Sequence, residues 1–235
     1  MKVTYFGHSA FRIETGKAVI MLDPFLSGNP LFKGDAKVAA RGATHVLLTH
    51  GHDDHRGDAM AICGDNGATL VSNFEVCMYL AGQGVEKYSP GNHGGRIAFD
   101  DFDCIFTNAW HSSSTMDGGK PVYLGNPAGF VIRPKSEADK VIYATGDTGI
   151  TLDMKLVQEL YKPDIGIVCM GDRFTMGADQ AAHACREFFD FNTIIPCHFA
   201  TFEGFLAPDT KSFVAAMGSK AGRVKTMAPG ESMSL

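Results

Sequence analysis

Apolar positions in this chain fall into short runs, and several runs stop at a histidine or an aspartate. Residues 3–6 and 11–14 read as strands on either side of the turn Gly7-His8-Ser9-Ala10. Ala18-Val19-Ile20-Met21-Leu22 follows and ends at Asp23-Pro24. The unbroken run His45-Val46-Leu47-Leu48-Thr49 has the character of a strand covered on both faces, and it stops at His50. A helix is expected from near residue 54 towards residue 63, closed by Gly64 and Gly67. Residues 68–72 read as a strand, and 74–81 as a helix stopped by Gly82 and Gly84.

A strand-rich middle covers 96–99, 102–109, 122–124, 129–133 and 141–144; the last of these runs into Thr145-Gly146-Asp147-Thr148. Residues 152–161 look helical, with Pro163 beyond their end. Residues 164–170 are a strand. Residues 179–189 are a helix with Asp179 as its N-cap. Residues 193–197 are a strand ending at His198, and 209–217 form the last helix. Strands first and strand–helix alternation later fit a layered α/β (α+β) protein with a site at the strand termini. Two β-rich halves, each followed by helices, are compatible with one four-layer domain over 1–235.

The polar residues at those strand ends carry the chemistry. In Thr49-His50-Gly51-His52-Asp53-Asp54-His55, two histidines two apart in a Gly-containing loop can converge on one ion. Asp54 and His55 follow one turn later and can face a second. Imidazole and carboxylate suit divalent metals. So many such groups behind a buried strand destabilise a fold unless something binds them. A solvated His-rich loop is the bland alternative. Against it, His111, Asp147 and His198 each close a further apolar strand, where more ligands are needed.

Composition narrows the class. Hydrophobic residues make 45% of the 235 and charged residues 20%, the balance of a folded globular chain. A formal net charge of −5 gives no footprint for a nucleic-acid backbone, so a small-molecule substrate is expected and nucleic acid is not. No apolar run reaches the roughly 20 residues of a membrane span. The N-terminus reads as a first strand rather than a signal peptide. The six cysteines form no C-x-x-C pair and lie in apolar patterns, as reduced core residues of a cytoplasmic protein do. A homo-oligomer is compatible with all of this.

The order H-x-H-x-D-H, then a distant His, an Asp and a distant His, resembles the metallo-β-lactamase superfamily. Gly7-His8-Ser9-Ala10-Phe11, Leu22-Asp23-Pro24-Phe25, Gly146-Asp147-Thr148, Phe174-Thr175-Met176-Gly177 and Pro196-Cys197-His198-Phe199 narrow the likeness. They resemble a branch of metal-dependent hydrolases similar to the L-ascorbate 6-phosphate lactonases, and more distantly to the N-acylphosphatidylethanolamine phospholipase D enzymes. The resemblance spans nearly the whole chain.

That resemblance implies an αββα sandwich with two divalent ions at one edge, zinc by default, with manganese, iron or nickel as alternatives. It implies His50, His52 and His111 on the first ion, Asp54, His55 and His198 on the second, and Asp147 bridging. It places His8 beside the metals; a satisfied turn histidine is the alternative. Asp23 either supports the ligand loop by hydrogen bonding or forms an Asp-Pro turn. The implied reaction is hydrolysis of a small ester, lactone or phosphodiester by a metal-bridging hydroxide. Asp54 would orient the water, and His8 or a metal-bound water would serve as leaving-group acid.

Gly171-Asp172-Arg173 departs from the branch, which implies small residues there. Arg173 could read a phosphate or carboxylate, or pair with a carboxylate of the protein. His45, His93 and His183 match no motif and read as structural. Two other classes remain in view. A diiron redox protein of the same fold would carry Glu where His52 stands, and a flavin-bearing domain. A metal-binding module without activity is the other.

Overall fold

The computed structural model describes residues 1–235. One sheet takes β1 (Lys2–Tyr5), β2 (Phe11–Thr15), β3 (Ala18–Leu22), β4 (His45–Leu47), β5 (Thr69–Asn73) and β6 (Tyr88–Gly91) in chain order. The second is built from β7 (Arg96–Ala98), β8 (Phe102–Asn108), β11 (Ala128–Pro134), β12 (Ile142–Ala144), β13 (Ile165–Cys169) and β14 (Thr193–Cys197). Between β8 and β11 the chain makes a separate hairpin, β9 (Ser114–Asp117) with β10 (Lys120–Tyr123). The last strand, β15 (Ser232–Ser234), pairs antiparallel with β1 and closes that edge of the first sheet.

Alternation along the strands divides the apolar side chains between layers. In β3, Ile20 and Leu22 enter the larger core and Met21 the smaller one. Leu47 and Val46 of β4 divide in the same way. The smaller core lies against α3 (Ala59–Asn66) and α4 (Phe74–Gly82), which contribute Ile62, Cys63, Val76, Cys77 and Leu80. The larger core holds the facing residues of both sheets. It continues to α5 (Asp153–Tyr161), α6 (Ala178–His183) and α7 (Lys211–Ala216) through Met154, Val157, Ala181, Ala182 and Phe213. Helices thus cover the outer side of each sheet, giving the α–β–β–α layering expected from the sequence. No helix is long and apolar enough to cross a membrane.

Strand direction places the site. β1 and β3 are each antiparallel to β2, and β4 is parallel to β3, so β1, β3 and β4 point one way. In the second sheet β8 and β12 are each antiparallel to β11, and β13 and β14 run parallel to β12. The C-terminal ends of β1, β3 and β4 therefore share one edge, and those of β8, β12 and β14 share another. His8, Asp23, His50, His111, Asp147 and His198 all follow these ends within three residues.

Several sequence-based boundaries are corrected. The helix expected over 54–63 is two helices, α2 (Asp53–Arg56) and α3, broken at Gly57. Gly57 has φ 37°, and a Cβ there would stand 2.6 Å from the Pro24 carbonyl oxygen, so the chain must bend where only glycine fits. Asp179 is not the N-cap of α6; Gly177 is, and Asp179 sits in the first turn, where its charge still complements the helix dipole. The helix then widens into a π-turn over Ala184–Phe188. The strand placed at 122–124 is β10, two residues earlier at its start. The short helix α1 (Ala36–Ala39), capped by the Asp35 side chain, has no apolar stripe to announce it. All six cysteines are free and buried, as expected.

Candidate metal centre

Loops from both sheets converge on one cluster of imidazoles and carboxylates. The His198 amide donates to the His8 carbonyl at 2.8 Å, which ties the end of β14 to the turn after β1. The Trp110 amide donates to Thr148 Oγ1 at 2.8 Å, and the Gly149 amide to the Trp110 carbonyl at 3.1 Å. These bonds knit the His111 loop to the Asp147 loop. His52 is the N-cap residue of α2, so Asp54 and His55 project from that helix's single turn.

The sequence-predicted ligands fall into two groups with a common hub. On one side His50 Nε2 faces His52 Nδ1 at 2.9 Å, and the His111 ring lies 5.1 and 5.2 Å from theirs. On the other side Asp54, His55 and His198 gather, and His8 joins them with its Nε2 3.2 Å from Asp54 Oδ2. Between the groups stands Asp147. Its Oδ2 is 2.9 Å from His198 Nε2, 3.3 Å from His55 Nε2 and 3.7 Å from His111 Nε2. All seven residues named as ligands from the sequence, and His8, thus meet in one place.

Hydrogen bonds behind the rings fix which nitrogen faces the cluster. His55 Nδ1 donates to Asp23 Oδ2 at 2.8 Å, leaving Nε2 to point at Asp147. Thr49 Oγ1 gives its hydrogen to Asp23 Oδ2 at 2.7 Å, so it accepts from His50 Nδ1 at 2.9 Å. His50 Nε2 is then a lone pair aimed inward. Asp23 also accepts the Thr49 amide at 2.8 Å. It therefore braces the segment 49–55 as well as shaping a turn. Ser113 Oγ accepts the Gly51 amide at 3.1 Å and donates to the Leu124 carbonyl, bracing the loop from the hairpin side.

Thr49, Ser113 and Thr201, whose Oγ1 lies 2.9 Å from His8 Nδ1, are the supporting residues that sequence reasoning missed. Only Thr49, adjacent to His50, carried a signal. Backbone strain was equally hidden: His8, Asp23 and His198 all have left-handed φ, at 56°, 43° and 61°, a conformation that collects at functional sites.

Burial sets the electrostatics. It lowers the pKa of His50, His52 and His111, and brings His8 to about 4. Burial also opposes the charge on His55, but Asp147 and Asp23 outweigh it and raise its pKa well above the usual value. Burial would keep Asp147 neutral, yet His198 and His55 hold its carboxyl well below the carboxylate range. For Asp54 burial is likewise opposed, by the charge on His55 among others, and its pKa is lowered.

The cluster fits divalent cations. His8 Nε2, His55 Nε2 and Asp147 Oδ1 are buried without a hydrogen-bond partner, a costly arrangement unless a cation meets them. Three sets of three or four donor atoms lie within 4.8 Å of one another. The donors are imidazole nitrogens and carboxylate oxygens, without thiolate, a set that suits zinc, manganese, iron or nickel.

A cavity of ≈ 390 Å³ opens onto the cluster, lined by His52, Asp54, His111, Ser112, Asp147 and His198 together with Phe174 and Phe202. Arg173 has no carboxylate partner. Its guanidinium lies 4.9 Å from the Phe205 ring and 5.7 Å from that of Phe174. His45 packs edge-on against Phe99 and Phe102, and His93 Nε2 donates to the Pro127 carbonyl at 2.8 Å. Both serve structure, as read from the sequence. His183 lies on α6, its ring edge-on to Phe188.

Residues 2–198 match the Beta-lactamase superfamily domain. A UPF0173 metal-dependent hydrolase of Methylocella silvestris is 52% identical over 233 residues, covering 99% of each chain. One from Mesorhizobium japonicum is 50% identical over 238 residues, covering 100% of each. Among solved structures, Igni18, a novel metallo hydrolase from Ignicoccus hospitalis, superposes with a TM-score of 0.87 at 32% identity, over 99% of this chain and 97% of that one. The isothiocyanate hydrolase from Delia radicum gut bacteria shares the fold with a TM-score of 0.80 at 17% identity, over 100% of this chain and 99% of that one.

Proposed function

The chain belongs to the β-lactamase superfamily, alongside the UPF0173 metal-dependent hydrolases, and on that footing we propose that it is a two-cation hydrolase of a small ester, lactone or phosphodiester. The observation that carries this reading is the hub: Asp147 Oδ2 lies against imidazoles of both groups. His50, His52 and His111 would hold one ion. Asp54, His55 and His198 would hold the other, with Asp147 shared. Divalent cations held by these residues would supply Lewis-acid chemistry, activating water and polarising the oxygen of the group under attack.

The residues supply orientation. Asp23 fixes the His55 ring directly and the His50 ring through Thr49, so both present Nε2 without rearrangement. Asp54, ionised and lining the cavity, would orient a water by accepting its hydrogen bond. Phe174 and Phe202 present apolar walls beside it, which suits the carbon skeleton of a small substrate. The mildly acidic net charge of −5 disfavours long nucleic acids.

The test is a panel of a lactone, a thioester and a chromogenic phosphodiester. Chelator-stripped protein is reloaded with Zn²⁺ or Mn²⁺ before assay. Turnover that disappears on stripping and returns on reloading supports the reading, and the substrate that responds selects the class. A fully loaded protein inert to all three would contradict it.

A further inference from the structure

His8 lies outside the seven-residue ligand set, yet its ring Nε2 stands 3.2 Å from Asp54 Oδ2. It sits in the turn between β1 and β2 and is 0% exposed. The carbonyl of His8 accepts the His198 amide at 2.8 Å and the Tyr5 hydroxyl at 3.2 Å. Its ring is flanked edge-on by Phe25 and Phe202, at 5.9 and 5.5 Å.

The hydrogen on that ring can be placed. Thr201 Oγ1 donates its only hydrogen to the Phe199 carbonyl at 3.1 Å. Its contact with His8 Nδ1 at 2.9 Å must then take a hydrogen from the ring. His8 Nε2 is left as a lone pair, buried, without a hydrogen-bond partner, and 3.2 Å from the carboxylate oxygen of Asp54. Two acceptors this close, with no hydrogen between them, require a positive charge. The donor atoms of His55 and His198 lie within 4.8 Å of the same pair.

We propose that His8 Nε2 is a further ligand of the ion on the Asp54–His55–His198 side, and that Thr201 is the positioning residue that fixes its tautomer. The proposal rests on the two-cation reading above. It replaces the role of leaving-group acid expected for His8, because a ring whose hydrogen is engaged by Thr201 has none to offer on the cavity side.

The test uses the whole protein loaded with Co²⁺. Each bound imidazole then contributes one hyperfine-shifted, exchangeable N–H resonance. His8→Asn is the first variant, since asparagine tolerates left-handed φ. It should lose one such resonance and bind one of its two ions on the order of 100-fold more weakly, with the other ion unaffected. Thr201→Val should keep the resonance, speed its exchange, and weaken the same ion about 10-fold, as loss of a supporting hydrogen bond does. Wild-type protein that binds two ions, with both variants within two-fold of it and no resonance lost, would overturn the role of His8 alone. Wild-type protein that takes up no Co²⁺ would overturn the two-cation reading as well.

Discussion

His55 Nδ1 donates to Asp23 Oδ2 across 2.8 Å, and the same carboxylate oxygen accepts the Thr49 hydroxyl that orients His50. One buried carboxylate therefore sets the ring of a histidine in each half of the cluster. Asp23→Asn keeps the size and tolerates the φ of 43°, but it removes the charge and one acceptor. Affinity for divalent cations should fall about 10- to 100-fold, measured by competition with a chromophoric chelator. Affinity within two-fold of wild type would contradict this.

Loading should release a proton. In the cation-free protein His55 is held charged by Asp147 and Asp23, whereas burial keeps His50, His52 and His111 neutral. At pH 7 a cation must displace the His55 proton, so about one proton per chain should appear. Calorimetric titration in two buffers of different ionisation enthalpy reads it directly, and identical heats in both would count against it. The same shift has a stability consequence. A raised folded pKa stabilises fully below the unfolded value of about 6.5 and is lost as pH rises through the folded value. The cation-free protein should therefore melt lower at alkaline pH than at pH 6.

Gly171 lies against His198. A Cβ there would stand 2.6 Å from His198 Nδ1 and inside contact distance of its carbonyl oxygen. Gly171→Ala should force the strained His198 backbone to move, destabilising the protein by about 1–3 kcal/mol and weakening cation binding. Thermal melts with and without chelator separate the two effects. An unchanged melt in both conditions would show that the loop yields freely.

Asp103 provides a stability change remote from the cluster, at the opposite end of β8 from His111. It is buried and accepts from Arg133 Nη2 and Lys135 Nζ, each at 2.5 Å, and from Arg96. Burial would raise its pKa, but Lys135 and Arg133 outweigh burial and hold it down. Its contribution is present above the unfolded pKa of about 4 and is lost as pH falls through the lower folded value. The cations are half exposed, so screening limits the effect. Asp103→Asn should cost about 1–2 kcal/mol at pH 7. Denaturant melts should show the gap closing as pH falls below the unfolded value of about 4, with cation affinity unchanged throughout.

The residues of the cluster were legible because each follows an apolar run, and because four of them crowd into residues 50–55. The layered fold was legible for the same reason: runs such as Val46-Leu47-Leu48 mark strands covered on both faces. What escaped depends on chain segments meeting from far apart. β6, Tyr88–Gly91, contains Pro90 and Gly91, and β15 is Ser-Met-Ser; neither has apolar alternation, and both exist because a neighbouring edge offers hydrogen bonds. Thr201 is 193 residues from His8, and no local pattern announces that contact. The break at Gly57 follows from the approach of Pro24 and Phe25, which only the folded chain displays.

The most direct measurement is anomalous X-ray diffraction at the zinc edge from crystals of the zinc-loaded protein. Two peaks about 3.5–4 Å apart are expected, one beside His50, His52 and His111 and the other beside Asp54, His55 and His198, with Asp147 between them. No peak at the cluster, or peaks confined to surface residues, would contradict the account.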